Sequence, residues 1–314
     1  MVGSAIFRKL KSYGFNNLIC ASRDELDLIN PAEVESFFNR YSPDIVIIAA
    51  AKVGGIYANN NYPYDFILDN LKMQINLIEN AFKKKVKRLL FLGSSCIYPK
   101  LAKQPIREEE LLNGYLEKTN DSYAIAKISG IKLCEALRKQ HNFDAISLMP
   151  TNLYGEGDNY QNMNSHVIPS LIRKFVEAEK ENLETVDCWG SGKPLREFLH
   201  VDDLADACLY ALSNWFPSTK DAPKNFDGES LTFLNVGSNQ EITIKDLAEL
   251  ISKKTNFKGK INWDHSKPDG TPRKLLDSSK LNSMGWFPKI DLDTGLDKTI
   301  KLFKMNFNKN ILRL

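Results

Sequence analysis

Long apolar runs are missing from this sequence. The longest, Ile45 to Ala51, falls far short of the ~20 residues that a membrane span needs. An excess of one charge is missing too: 42 Lys+Arg face 39 Asp+Glu, a formal net charge of +3. Nucleic-acid binding requires a concentrated basic face. The one dense cluster is Lys83, Lys84, Lys85, Lys87 and Arg88, at the end of a helical pattern where cations complement the dipole. Neither a nucleic-acid partner nor a membrane is expected. Cysteine is sparse. Cys20, Cys96, Cys134, Cys188 and Cys208 are odd in number and widely spaced, with no C-x-x-C pair. That pattern excludes a small disulfide scaffold, gives no sign of a metal site, and predicts free thiols in a reducing compartment. Arg8, Lys9 and Lys11 interrupt the N-terminal apolar pattern, so no signal peptide is read there. The sequence therefore predicts a cytoplasmic protein. Internal repeats and low-complexity tracts are also absent. With 43% hydrophobic residues over 314 positions, the chain can bury a sizeable core in one large domain or two ordinary ones.

What is present has a rhythm. Leu18 to Ala21, Ile45 to Ala50, Leu89 to Leu92 and Ala145 to Met149 are short apolar runs. They suit strands buried on both faces of a parallel sheet. Amphipathic stretches lie between them. The clearest, Pro63 to Phe82, places Tyr64, Leu68, Leu71, Ile75, Ile78 and Phe82 at helical spacing. A second runs from Ser122 to Gln140. The fold class expected is α/β: a doubly wound, mostly parallel sheet with a smaller C-terminal α/β domain. Residues 1–155 form the first domain and 156–314 mainly the second. Asp202–Trp215, read as a helix, and Leu231–Val236, read as a strand, return to the first. Short strands are expected at Val186–Trp189 and Glu197–Val201, around the turn Gly190-Ser191-Gly192.

Doubly wound sheets bind ligands beyond the carboxyl ends of their strands. The segments found there are Ala49 to Gly55, Gly93 to Pro99 and Pro150 to Gly155, all small, polar or glycine-rich. The strongest chemical signal is Tyr123-x-x-x-Lys127. Residues four apart share a helix face. A cation there favours phenolate, so Lys127 is expected to lower the phenol towards working pH. Such a Tyr can exchange a proton with an oxygen on a substrate carbon, as hydride transfer to a carbonyl requires. Ser94, just past a strand, can hydrogen-bond the same oxygen.

These features bring in a family. The chain resembles the extended short-chain dehydrogenase/reductases, and within them the epimerase/reductases of GDP-4-keto-6-deoxy sugars. The resemblance rests on AAAKVGGIYANN (49–60), FLGSSCIYPKLAKQP (91–105), YAIAKISGIKLCE (123–135), MPTNLYGEGDN (149–159), NSHVIPSLIRKF (164–175), WGSGKPLREFLHVDD (189–203) and KPDGTPRKLLD (267–277). It implies epimerisation of two carbons flanking a 4-keto group, then reduction by NADPH to GDP-L-fucose. It implies a reductase triad of Ser94, Tyr123 and Lys127, and an acid/base pair of Cys96 and His166. Thiol and imidazole titrate near neutrality, which suits inversion beside a ketone. For NADP(H) the resemblance implies contacts from Gly3, Arg23, Asp24 and Leu92, from Gly93, Ser94, Ser95 and Lys127, and from Pro150, Thr151, Asn152, Leu153 and His166. A basic Arg23 in place of an acidic residue favours NADP over NAD. For the GDP-sugar it implies Asn152, Lys174, Trp189, Arg196 and Asp269. Lys174 stands where the family often has Arg. Homodimers pairing the helices at 63–82 and 122–140 are also implied. Two alternatives stay open: a related enzyme for another 4-keto-6-deoxy or heptose sugar, and an inactive binding module.

One departure stands out. Of the family's opening strand and GxxGxxG turn, only the last glycine has a counterpart, Gly3. The expectation is that the natural start lies upstream by roughly a strand and a turn. The sequence as written is then expected to bind NADPH poorly.

Overall fold

A run of aliphatic residues with no polar face is stable as a strand only where both of its faces are covered. The computed structural model, which describes residues 1–161, 164–267 and 269–309, covers four such runs in this way. In chain order the first half comprises α1 (Val2–Ser12), α2 (Pro31–Tyr41), β1 (Ile45–Ile48), α3 (Ile56–Asn61), α4 (Pro63–Lys83), β2 (Arg88–Leu92), α5 (Asp121–His141), β3 (Ala145–Pro150) and β4 (Asn152–Tyr154). There follow α6 (Val167–Lys180), β5 (Thr185–Trp189), β6 (Leu195–His200), α7 (Val201–Asn214) and β7 (Phe233–Val236). The chain then continues through β8 (Glu241–Thr243), α8 (Ile244–Thr255), β9 (Lys260–Asp264), β10 (Arg273–Lys274), α9 (Ser279–Ser283) and α10 (Leu292–Asn308).

Strands β1, β2, β3 and β7 pair in that order into one wholly parallel sheet. Side chains alternate across it. Leu89, Phe91 and Met149 pack with Ile78 of α4 and Ile131 of α5. Leu90, Ile146, Leu148 and Leu234 pack on the opposite side with Ala5 and Ile6 of α1 and Leu204 of α7. Each fully buried aliphatic side chain contributes about 1.5–3 kcal/mol. This is the doubly wound α/β arrangement that the alternation predicted. A separate core of Tyr154, Phe175, Leu247, Ile251 and Phe303 joins α6, α8 and α10. Beside it lie the β5–β9 pair and the β10–β6–β4 sheet, with β8 antiparallel to β6. No helix among the described residues is long and apolar enough to cross a membrane.

Two local expectations are corrected. Leu18 to Ala21 forms no strand, and its side chains are exposed or half-buried. A strand exists through its hydrogen-bonding neighbours, and nothing among the described residues pairs with this run. Strand β1 likewise has β2 as its only partner there, and Ile45 is 52% exposed. The core face of α4 is Phe66, Asn70, Met73, Leu77 and Ala81, while Tyr64 and Ile75 point outward. The short strands expected on either side of the Gly190–Gly192 turn are present as β5 and β6; β5 pairs with β9 and β6 with β4.

The α4–α5 contact closes tightly at Gly130. A Cβ there would lie 2.5 Å from Phe91 Cζ and 2.8 Å from Gln74 Oε1. Gln74 is itself fixed, donating to Ala126 O at 2.6 Å. Gly130→Ala is expected to destabilise by about 1–3 kcal/mol through overpacking, partly offset by the ~1 kcal/mol helix preference of Ala. Thermal denaturation followed by circular dichroism checks this. An unchanged or raised Tm would contradict it.

Candidate active site

The carboxyl ends of β2 and β3 open on one edge of the sheet. Beyond Leu92 the chain enters Gly93, where a Cβ would lie 2.3 Å from Met149 Sδ, so a side chain there would displace the Met149 thioether. Ser94 then caps a single 3-10 turn over Ser95–Ile97, its Oγ accepting from the Cys96 amide at 3.4 Å. This turn buries Ser95 and Cys96 and leaves Ser94 half-buried. Helix α5 supplies the facing wall. Tyr123 lies in its first turn and Lys127 one turn later, as the spacing demands. Lys127 is buried, donates from Nζ to Leu92 O at 2.8 Å, and stands 5.9 Å from the centroid of the Tyr123 ring.

The electrostatics correct one expectation. Burial pushes the Tyr123 phenol well above its ordinary range, the neighbouring Cys96 adds to this, and Ser94 opposes it. Lys127 itself is pushed down to about 8 by burial. Desolvation sets the direction of this shift, and the ammonium that was expected to lower the phenol is engaged with Leu92 O. Tyr123 stays protonated at neutral pH, the form that can donate to a ketone oxygen.

Burial also raises the Cys96 thiol, while Lys274, Ser94 and Lys127 draw it back. His166 immediately precedes α6 and keeps accessible surface. The protein crowded around its ring and the Lys274 cation nevertheless hold it below the ordinary imidazole value. Ser94, Cys96, Tyr123 and Lys127 therefore form one cluster, and Cys96 and His166 both feel Lys274. Lys274 lies in the segment 267–277 that carries the resemblance, which implied no role for it. It lines a pocket with Cys96, Tyr98, Glu117, Asn120 and Thr271. Its position opposite Arg196 in the β6–β10 register is a tertiary fact that local spacing does not carry.

The remaining candidates fall into two groups. On the cofactor side, Gly3 lies in the first turn of α1, where a Cβ would meet only Ala49 Cβ at 3.9 Å. Arg23 and Asp24 stand apart on an exposed turn. Pro150 ends β3, and Thr151, Asn152 and Leu153 follow. Thr151 Oγ1 and Asn152 Nδ2 both donate to Glu197 O, at 3.3 and 2.9 Å. On the other side, Trp189 is 44% exposed, with Lys267 Nζ 5.6 Å from its ring centroid. Lys174 Nζ donates to Asp187 O at 2.7 Å. Arg196 donates to Leu195 O at 2.9 Å and to Asp269 O at 3.4 Å. The Asp269 carboxylate accepts from both the amide and the hydroxyl of Ser191 at 2.7 Å. It closes the turn at Gly190, whose φ of +80° favours glycine. In this arrangement the carboxylate is engaged by the protein.

Comparison with known proteins follows the same lines. The model of the NAD dependent epimerase/dehydratase family matches residues 1–223. "GDP-L-fucose synthase 1" of Arabidopsis thaliana is 56% identical over 306 residues, covering 98% of this chain and 91% of its own. "GDP-L-fucose synthase" of Escherichia coli K12 is 50% identical over 310 residues, covering 98% and 94%. A solved GDP-mannoheptose C4 reductase from Campylobacter jejuni with NADP bound superposes with a TM-score of 0.85 at 35% identity, covering 96% of this chain and 95% of that one. With the model matched over most of its length and near-complete relatives at half identity, this chain belongs to the NAD dependent epimerase/dehydratase family.

Proposed function

We propose that this protein converts GDP-4-keto-6-deoxy-D-mannose to GDP-L-fucose, epimerising the sugar at positions 3 and 5 and reducing the 4-keto group with NADPH. The observation that carries the reading is the placement of Cys96 in the turn that Ser94 caps, at the strand end where Lys127 of the Tyr123–Lys127 pair reaches Leu92 O. A plain reductase needs only the hydroxyl pair and the lysine; a thiol beside them serves proton exchange at the flanking carbons.

The chemistry runs through the chain's own groups. Ser94 and Tyr123 donate to the keto oxygen, which acidifies the neighbouring C–H bonds by stabilising the enolate. Cys96 and His166 take and return protons at those carbons, and Lys274 favours the thiolate form of Cys96. In the reductive step Tyr123 delivers its proton to the oxygen. NADPH, when bound, supplies hydride to the keto carbon. Lys127 fits the cofactor: its ammonium carries three donors, and among the described residues its bond is to Leu92 O, leaving donors for a ribose hydroxyl. The N-terminus of α1 with Gly3, exposed Arg23 with Asp24, the turn 92–95 and residues 150–153 with His166 complete that side. Arg196 and Lys174 suit a pyrophosphate, and Trp189, Asn152 and Asp269 frame the sugar nucleotide. We assign residues 1–155, with α7 and β7, to cofactor binding and most of 156–314 to substrate binding. A homodimer through α4 and α5 accounts for the outward Tyr64, Ile75 and Ile125, each more than 40% exposed. The free thiols fit the reducing cytoplasm.

Incubation with GDP-4-keto-6-deoxy-D-mannose and NADPH in D2O tests the reading. GDP-L-fucose bearing deuterium at C3 and C5 is expected. Reduction without deuterium incorporation would replace it with a plain ketosugar reductase.

A further inference from the structure

Glu197 lies in β6 between Arg196 and Phe198 and is fully buried. Its carboxylate has backbone partners. Oε1 accepts from the Asn239 amide at 2.8 Å and Oε2 from the Leu276 amide at 3.0 Å. The chain at Gly237 approaches so closely that a Cβ there would lie 2.3 Å from Oε1. Burying a carboxylate is costly unless its hydrogen bonds are made. An apolar residue would avoid that cost, so this position demands an acceptor with two arms. What the arms hold is informative. Strand β10 pairs with β6 over only Arg273↔Leu195 and Lys274↔Arg196. A ladder this short specifies register weakly. Leu276 follows Lys274 by two residues, at the same phase of the strand alternation. Ile106 bonds to Leu275 O, and Gln104 bonds to the Leu275 amide, from the far side of the segment.

We propose that Glu197 is a positioning residue for the proton-transfer chemistry: by anchoring Leu276 it fixes β10 on β6 and holds Lys274 in the pocket that it lines with Cys96. The role in proton transfer rests on the function proposed above; the positioning of Lys274 does not. The charged and titratable groups facing Cys96 are Lys274 from β10 and Lys127 and Tyr123 from α5. Those facing Lys274 are Cys96, His166, Arg196 from β6 and Glu117.

The sign of one measurement separates positioning from direct charge. Neutralising Glu197 removes a negative charge, which by itself lowers the titration midpoint of a nearby thiol. Releasing Lys274 removes a cation, which raises it. The experiment is alkylation of Cys96 by iodoacetamide in the full chain, followed across pH by peptide mass. Lys274→Met is expected to raise the Cys96 midpoint by about one unit. Glu197→Gln, whose amide cannot accept at both arms, is expected to raise it by about half a unit or more on the same basis. Glu197→Asp keeps the charge but is too short to reach both Asn239 and Leu276. The same upward shift is expected, and this variant carries the test should Glu197→Gln fail to fold. A lowered Tm with an unmoved or lowered midpoint would overturn the proposal, as would a midpoint indifferent to Lys274→Met. The titration needs no substrate. Missing deuterium incorporation in the wild type would therefore remove the proton-transfer reading while leaving the positioning result intact.

Discussion

Tyr123→Phe is expected to lower NADPH-dependent reduction of the ketosugar by about 10²–10⁴-fold, the range for loss of a positioned general acid. The phenol is the protonated donor of the site because burial holds it well above its ordinary range. Phe preserves the ring and its edge contact with Phe66 at 6.4 Å. The fold should therefore remain, and the loss should fall on kcat more than on substrate affinity. Ser94 continues to support the enolate, so deuterium exchange at the flanking carbons should fall less than reduction does. NADPH oxidation and deuterium exchange measured on the same preparation separate the two. A reduction rate within about tenfold of the wild type, below the range for a general acid, would remove Tyr123 from this role.

Cys96→Ser carries the second large effect, on the complementary step. Deuterium incorporation from solvent into the 4-keto sugar is expected to fall by about 10²–10⁴-fold, while reduction of an already epimerised substrate continues. Serine nearly matches cysteine in shape, and Cys96 is 7% exposed, so packing changes little. A serine hydroxyl is a far weaker acid than a thiol; burial raises the Cys96 thiol, and Lys274 and Lys127 oppose that rise by favouring thiolate. Removing the thiol also takes away a group that raises the Tyr123 phenol, so the reductive acid is kept or slightly strengthened. Mass analysis of the sugar nucleotide at intervals in D2O gives both rates. Unchanged incorporation would exclude Cys96 from proton transfer.

Much of this was legible along the chain. The runs at 89–92 and 145–149 are apolar on both faces, and the structure buries them at every position. The helix at 63–82 was found within one residue of its bounds. Its core face was found only in part, through Ile78 and Phe82. Tyr64 and Ile75 are as apolar as Phe66 and Met73, and periodicity cannot say which of two apolar stripes meets the sheet. The run at 18–21 has the composition of a strand, yet composition does not supply a hydrogen-bonding neighbour. Among the site residues, Tyr123 and Lys127 were visible through helical spacing and Ser94 through its place after a strand. The Asp269 carboxylate also closes the Gly190 turn through Ser191, a contact that no local spacing announced.

The sequence by itself determined the buried strands at 89–92 and 145–149, the helices at 63–82 and 122–140, and which hydroxyl, phenol and amine share one end of the sheet. These follow from local periodicity and from the rule that a parallel sheet presents its carboxyl ends together. The tertiary structure alone decided the protonation of that cluster, the entry of Lys274, and the anchoring of its strand by Glu197. Proton affinity depends on how much water burial removes and which charges lie close by in space. Lys274 and Cys96 are far apart in the chain and line one pocket only after folding.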